Sequence, residues 1–231
     1  MNKYFFIGLS GSIASLLSNT ITYPIYSHYL RISAKHNASH IYAGYMSFII
    51  ANILSQLVYY MFYSLFIDIF IHINISLPAS FFAGCITVVI VNPIWVINTH
   101  MCVYNKSLMT IIKHTKFVEY YYGIGPSLIL VTNPTIQYSC YEYIHSYIID
   151  YVVCKAFISK CIATILTYPY IYVKSLSHIQ KRSMVFICRT IYTTSGISGF
   201  YTNMLTKSIH SVLTAIILMY TQHIIITYIL Y

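Results

Sequence analysis

The sequence predicts an all-α membrane protein whose six transmembrane helices form three pseudo-threefold two-helix repeats. Three observations carry that expectation. The 231 residues are 58% apolar and only 7% charged, with a mean hydropathy of +0.69. Soluble domains carry about 25% charged residues because their surface must be solvated, and an outer skin of Ile and Tyr would aggregate in water. Apolar runs long enough to cross a bilayer recur six times. Three of the six prolines stand at matching depths in alternate runs.

The first run, residues 4–30, follows Lys3 with no small-residue cleavage site, so it reads as a retained span and not as a leader. The others cover residues 42–71, 78–104, 125–149, 152–177 and 202–230. Each exceeds the roughly 20 residues that cross a bilayer, which leaves room for tilt. Helices are the expected form, because a closed barrel needs alternating strands of about ten residues and the runs show no such alternation. Pro78, Pro126 and Pro134 fall at or just inside helix starts, where a missing N–H is tolerated. One transmembrane domain over 1–231 follows, with repeats at about 1–76, 77–151 and 152–231.

The connections are asymmetric. Arg31, Lys35, His36 and His40 follow the first run, Lys106, Lys113, His114 and Lys116 the third, and Lys181, Arg182 and Arg189 the fifth. The other two connections, near 71–77 and 149–151, hold almost no Lys or Arg. Basic residues therefore gather on one side of the membrane, with both termini opposite.

Thirteen Lys and Arg against four acids (Asp68, Glu119, Glu142, Asp150) give a net charge of +9. The basic residues form no dense patch interleaved with aromatics, so no nucleic-acid partner is expected. The surroundings are membrane lipid, and the chain is expected to act as a monomer. Six cysteines without a C-x-x-C pair read as small buried apolar residues, neither disulfides nor a zinc site. No nucleophile elbow, phosphate-binding glycine loop or histidine cluster of metal spacing is present. Enzymatic activity, a resident cofactor and a metal are not expected.

The prolines of the first, third and fifth runs lie in TYPIYSHYLR (Pro24), VNPIWVINTH (Pro93) and TYPYIYVKSL (Pro169), spaced 69 and 76 residues apart. Proline deletes one helix hydrogen bond and bends the helix. Three bends at one depth would draw three helix ends toward a common axis, and the freed carbonyls would need protein partners or a watery cavity. A threefold bundle of helix pairs, closed at its basic end, is the expected result.

Three helix pairs with a P-x-[acid]-x-x-[base] pattern at the odd-helix bends resemble the mitochondrial carrier family. NPIWVINTHM resembles its second-repeat motif in the nucleotide- and cofactor-carrying branch. GIGPSLILVTNPTIQYSCYEYI (Gly123–Ile144), KCIATILTYPYIYVKS (Lys160–Ser175) and KSIHSVLTAIILMY (Lys207–Tyr220) are similar to helices four, five and six of the peroxisomal adenine nucleotide carriers. YAGYMSFIIANILSQLVYYMFYSL (Tyr42–Leu65) is similar to the second helix, more loosely.

In that family the acid and base after each proline pair between repeats and close the basic mouth. Here the acid positions hold Tyr26, Trp95 and Ile171 and the base positions Tyr29, Asn98 and Lys174, so no ionic ring can form. Apolar and tyrosine packing, with Tyr–Asn hydrogen bonds of about 1 kcal/mol each, would have to serve as the gate. The opposite gate keeps Tyr141, Glu142 and His145 in the fourth helix, with Ser64 and His223 where acids are expected in the second and sixth.

The resemblance implies exchange of adenine nucleotides (ATP, ADP, AMP) across an organelle membrane by alternating access. The peroxisomal membrane is favoured over a mitochondrial one. The alternatives are CoA, NAD or FAD as cargo, or a degenerate carrier that no longer transports. A phosphorylated cargo needs cations in a wet mid-membrane cavity. Lys160 and Lys207 match lysines of the resembled branch, Lys174 is a third candidate, and His210 would add a donor. An adenine ring needs an apolar slot with few polar groups, expected on the fourth helix from Ile129, Leu130, Asn133 and Gln137.

Overall fold

A computed structural model describes residues 3–36, 40–71, 77–147 and 152–230. The long helices are α1 (Lys3–Ala34), α2 (Tyr45–Ile71), α3 (Leu77–Tyr104), α7 (Val152–Gln180) and α9 (Met204–Leu230). The fourth membrane run is broken into α5 (Ile124–Leu130) and α6 (Asn133–Tyr147), and two short helices, α4 (Leu108–His114) and α8 (Met184–Ser195), lie in the basic connections. Helix α2 packs along α3, α6 along α7, α9 against both α7 and α1, and α3 against α5 and α1. The chain thus has the expected six-membered, three-repeat layout.

One helix break differs from the sequence expectation. The predicted fourth helix is interrupted at Val131–Thr132, where Asn133-Pro134 begins a new first turn that the proline ring fits without loss. Of the described helices, α2, α3 and α9 are apolar enough by themselves to cross a membrane. Helices α1 and α7 carry the Ser, Thr, Tyr and Lys that point inward. On α2, Leu57, Met61 and Leu65, one turn apart, are each more than half exposed, as a lipid-facing stripe requires.

Helices α1, α3 and α7 each run on through their proline. Past Pro24, Pro93 and Pro169 they touch one another, and a dense plug fills the basic end. Tyr29, Leu30, Cys102, Val103, Tyr168, Tyr172 and Ile187 are its buried members. Cys102 is fully buried, whereas Cys85, Cys140, Cys161 and Cys188 are half-buried, Cys188 where it packs against the plug. The side chain of Cys154 lies outside the described residues.

The threefold repeat is legible in the backbone. Each odd helix ends on a left-handed residue, Lys35, Asn105 or Lys181, and each following membrane helix is preceded by another, Gly44, Gly123 or Asn203. A left-handed residue after a helix satisfies its last carbonyls.

The residue before each helix-interior proline then ties the two ends of the turn. Tyr23 donates to the Ala43 carbonyl (2.6 Å), Asn92 to those of Tyr120 (2.6 Å) and Tyr122 (3.3 Å), and Tyr168 to that of Thr202 (2.5 Å). The carbonyls of Ala43, Tyr122 and Thr202 each stand one residue before the left-handed cap. A position that the repeat motif leaves chemically free (Tyr, Asn, Tyr) performs one task three times.

Outside the membrane, Glu119 bonds Lys181 at 2.9 Å, and Lys181 also donates to Thr115 at 2.8 Å. The Lys181 ammonium holds the Glu119 carboxyl below its ordinary value, aided by the Lys116 backbone N–H. A lowered carboxyl pKa adds stability above the ordinary value of about 4.3 and loses it as pH falls through the depressed value. We expect Glu119→Gln to lower the melting temperature in detergent near neutral pH by an amount equivalent to about 0.2–1 kcal/mol. The difference from the parent should vanish toward pH 3; a constant difference across pH would contradict the pairing.

Candidate functional site

A cavity of about 430 Å³ lies inside the bundle, immediately beyond the plug. That volume falls within the range of small-ligand pockets, roughly 300–1,000 Å³. Helix α7 supplies more of its lining than any other helix. Lys160, Thr164, Ile171, Lys174 and His178 all line it, at spacings of three, four or seven residues that put them on one helix face. Lys207, His210 and Ser211 reach in from α9, and Tyr26, Phe48 and Trp95 from the α1–α3 side.

No carboxylate stands among the described residues that line this space. Asp68 is exposed near the end of α2, and Glu119 lies in a connection. Three lysines thus share one cavity in the middle of a membrane bundle. A charge there is costly unless it is paired or wetted, and an anion is the chemistry that this arrangement can accept.

Each lysine has an internal partner. Lys160 donates to Gln137 Oε1 at 3.2 Å. The Lys174 ammonium lies 5.9 Å from the centre of the Trp95 ring, and that of Lys207 lies 5.4 Å from Tyr26 and 5.6 Å from Tyr29. His210 is buried, with Nδ1 3.5 Å from Lys207 Nζ and its ring against that of Tyr26.

The gate positions pair across repeats by other means than ions. Tyr26 faces Asn98, hydroxyl to Oδ1, at 3.5 Å, and the Asn98 amide donates to Gly44 O (2.8 Å) and Ser47 Oγ (2.9 Å). Trp95 meets Lys174 through the cation–π contact. Tyr29 meets Ser175, four residues after Ile171, at 3.4 Å. All three seams are occupied, by neutral hydrogen bonds and one aromatic face.

The predicted adenine slot is brought together only in part. Leu130, Asn133 and Pro134 line the cavity. Asn133 also donates to Thr167 Oγ1 (2.6 Å), which stitches the start of α6 to α7. Gln137 lies one turn further along and engages Lys160. Ile129 does not join them: it is 38% exposed and off the cavity, since α5 presents Leu130 inward instead. The side chains of Glu142, His145 and His223 lie outside the described residues, so the opposite gate is not described. Ser64 is exposed and bonds back to the Met61 carbonyl at 2.9 Å.

Sequence reasoning missed several lining residues. His178 stands one turn after Lys174, and the 160–164–171–174–178 spacing would have found it. Its ring fits against Gly123, where an added Cβ would lie 2.5 Å from His178 Cδ2. Thr99 faces His178 Nδ1 at 3.5 Å, and His100 Nε2 meets the His178 carbonyl at 2.9 Å. Arg31, expected as a loop charge, is instead buried at the end of α1 and donates to the carbonyls of Cys102 (3.1 Å) and His40. Nothing in the spacing of Arg31 signals that role.

The architecture defines a class: an integral membrane bundle of three helix pairs around a cationic cavity, shut at one mouth by its proline-bearing helices. The family described as Mitochondrial carrier protein matches residues 72–152. The chain is similar to peroxisomal membrane protein PMP47A of Candida boidinii, at 35% identity over 48% of this chain and 31% of that protein. It is also similar to two proteins of Arabidopsis thaliana. One is nicotinamide adenine dinucleotide transporter 2, mitochondrial, at 28% identity over 63% of this chain and 49% of the relative. The other is the peroxisomal nicotinamide adenine dinucleotide carrier, at 25% over 62% and 60%. The chain thus spans from about a third to three fifths of the length of these curated relatives.

Gly123 has φ +81° in addition to its contact with His178. Gly123→Ala should cost about 1–3 kcal/mol, lowering the melting temperature by roughly 2–4 °C per kcal/mol. Gly125→Ala, which meets only the flexible Met184 Sδ at 3.3 Å, should be near neutral. Equal effects of the two substitutions would contradict the His178 cradle.

Proposed function

We propose that this chain is a solute carrier that exchanges adenine nucleotides across an organelle membrane by alternating access, without enzymatic chemistry. The observation that carries this reading is the convergence of Lys160, Lys174 and Lys207 on one cavity whose described lining holds no acid. A di- or triphosphate offers the lysines charge-assisted hydrogen bonds, each stronger than a neutral one. The aromatic and apolar side of the same cavity, with Leu130 and Asn133, suits a flat heterocycle.

NAD is the second reading, favoured by two relatives that are named as a nicotinamide adenine dinucleotide transporter and carrier. CoA and FAD share the same adenine-diphosphate chemistry. The peroxisomal membrane is the proposed location, supported by the peroxisomal names among the relatives. The three repeats of one domain, near 1–76, 77–151 and 152–231, are proposed to move against one another as units.

The test is exchange in liposomes containing the purified chain, with labelled ATP, ADP, AMP, NAD, CoA and FAD supplied in turn. Saturable exchange of an adenine nucleotide is expected. Lys160→Gln, Lys174→Gln and Lys207→Gln should each weaken cargo affinity by roughly tenfold or more, the scale of one hydrogen bond to a charged group. Absence of exchange with every one of these compounds would favour the reading of a degenerate, non-transporting carrier.

A further inference from the structure

The three cavity lysines are not held alike. Lys160 meets an amide oxygen, but Lys174 and Lys207 lie over aromatic faces, and those faces belong to the gate. Tyr26, Tyr29 and Trp95 occupy the positions where the resembled family keeps its gate acids and bases. Lys174 over Trp95 joins α7 to α3, and Lys207 over Tyr26 and Tyr29 joins α9 to α1.

We infer that Tyr26, Tyr29 and Trp95 are positioning residues for Lys174 and Lys207, and that the gate and an anionic cargo compete for the same two ammonium groups. The inference rests on the cargo reading above. A ring face attracts an ammonium group through its quadrupole, more strongly where water is excluded. A phosphate oxygen bonds the same group through a charge-assisted hydrogen bond, which is shorter and directional, so cargo draws the lysines off the rings.

Once they leave, the gate positions keep two long contacts between the odd helices, Tyr26 with Asn98 at 3.5 Å and Tyr29 with Ser175 at 3.4 Å, and the remaining polar ties lie with Arg31, Thr99 and His100. A ligand moves a conformational equilibrium only by its difference in affinity for the two states. Here the difference arises because cargo must displace the rings while the mouth is shut and need not once it has opened. A neutral compound of the same shape takes no ammonium group and leaves the mouth shut.

Trp95 is the only tryptophan of the chain, and Cys102 is a fully buried native thiol in the plug, so both halves of the inference have built-in reporters. Trp95→Leu removes the ring and keeps apolar bulk, whereas Trp95→Phe keeps an aromatic face. The measurements are ADP and inorganic pyrophosphate binding, and the alkylation rate of Cys102 followed by site-resolved mass spectrometry, on the full purified chain. Trp95→Leu should tighten binding of both anions by roughly three- to tenfold and speed Cys102 alkylation without cargo. Trp95→Phe should return both toward the parent. Lys174→Gln should also speed Cys102 alkylation, while weakening binding. In the parent, ADP should change the Trp95 fluorescence, and in Lys174→Gln it should not.

Unchanged or weakened anion binding in Trp95→Leu, with the parent binding normally, overturns the inference alone. So does a Cys102 that stays as protected in Lys174→Gln as in the parent. Failure of the parent to bind either anion overturns the competition together with the cargo reading.

Discussion

The fold depends on holding the ends of three long helices together beyond their prolines. Packing alone could gather α1, α3 and α7 in several ways, because Tyr, Leu, Val and Ile interdigitate without fixed direction. Direction comes from the residue before each proline. Tyr23, Asn92 and Tyr168 each hydrogen-bond the backbone just ahead of the next membrane helix. That bond fixes where each odd helix stands relative to the helix that follows it. Removing one donor would lose a part-buried hydrogen bond, worth about 0.5–1.5 kcal/mol. The plug at the basic end and the cavity beyond it both follow from the convergence.

Loss of the ionic ring does not leave the gate empty. Charged networks at such seams can be traded for other contacts, because desolvation offsets much of the gain from burying ion pairs. In this chain Tyr26–Asn98, Trp95–Lys174 and Tyr29–Ser175 span the three seams. The second of these uses a cation that also faces the cavity, which makes the gate and the anion site share a component. A weak gate and a strongly cationic site are then two aspects of one arrangement.

Much of this was legible in the sequence. The six spans, the basic side and the three prolines followed from apolarity and spacing, and the lysines from their place inside apolar runs. The broken fourth helix was not, because Asn133-Pro134 is compatible with either a helix interior or a new start. Ile129 was misplaced for the same reason: counting turns through a break assigns the wrong face. His178 escaped because a histidine in an apolar helix has no signature until the stripe from Lys160 is followed to its end. Arg31 is buried through two backbone carbonyls that no local pattern specifies, and the pre-proline tethers vary in residue type, so similarity alone hides them.

The most direct measurement of the central claim is a comparison of two triangles by spin-label distances in reconstituted membranes. One set of pairwise labels is placed on the odd-helix ends beyond the prolines, at Lys35, Asn105 and Lys181. The other is placed on the same helices before the prolines, at Ile13, Phe81 and Ile162. Convergence predicts that the first triangle is distinctly smaller than the second in the absence of cargo. Triangles of equal size, or a larger one at the basic end, would contradict it.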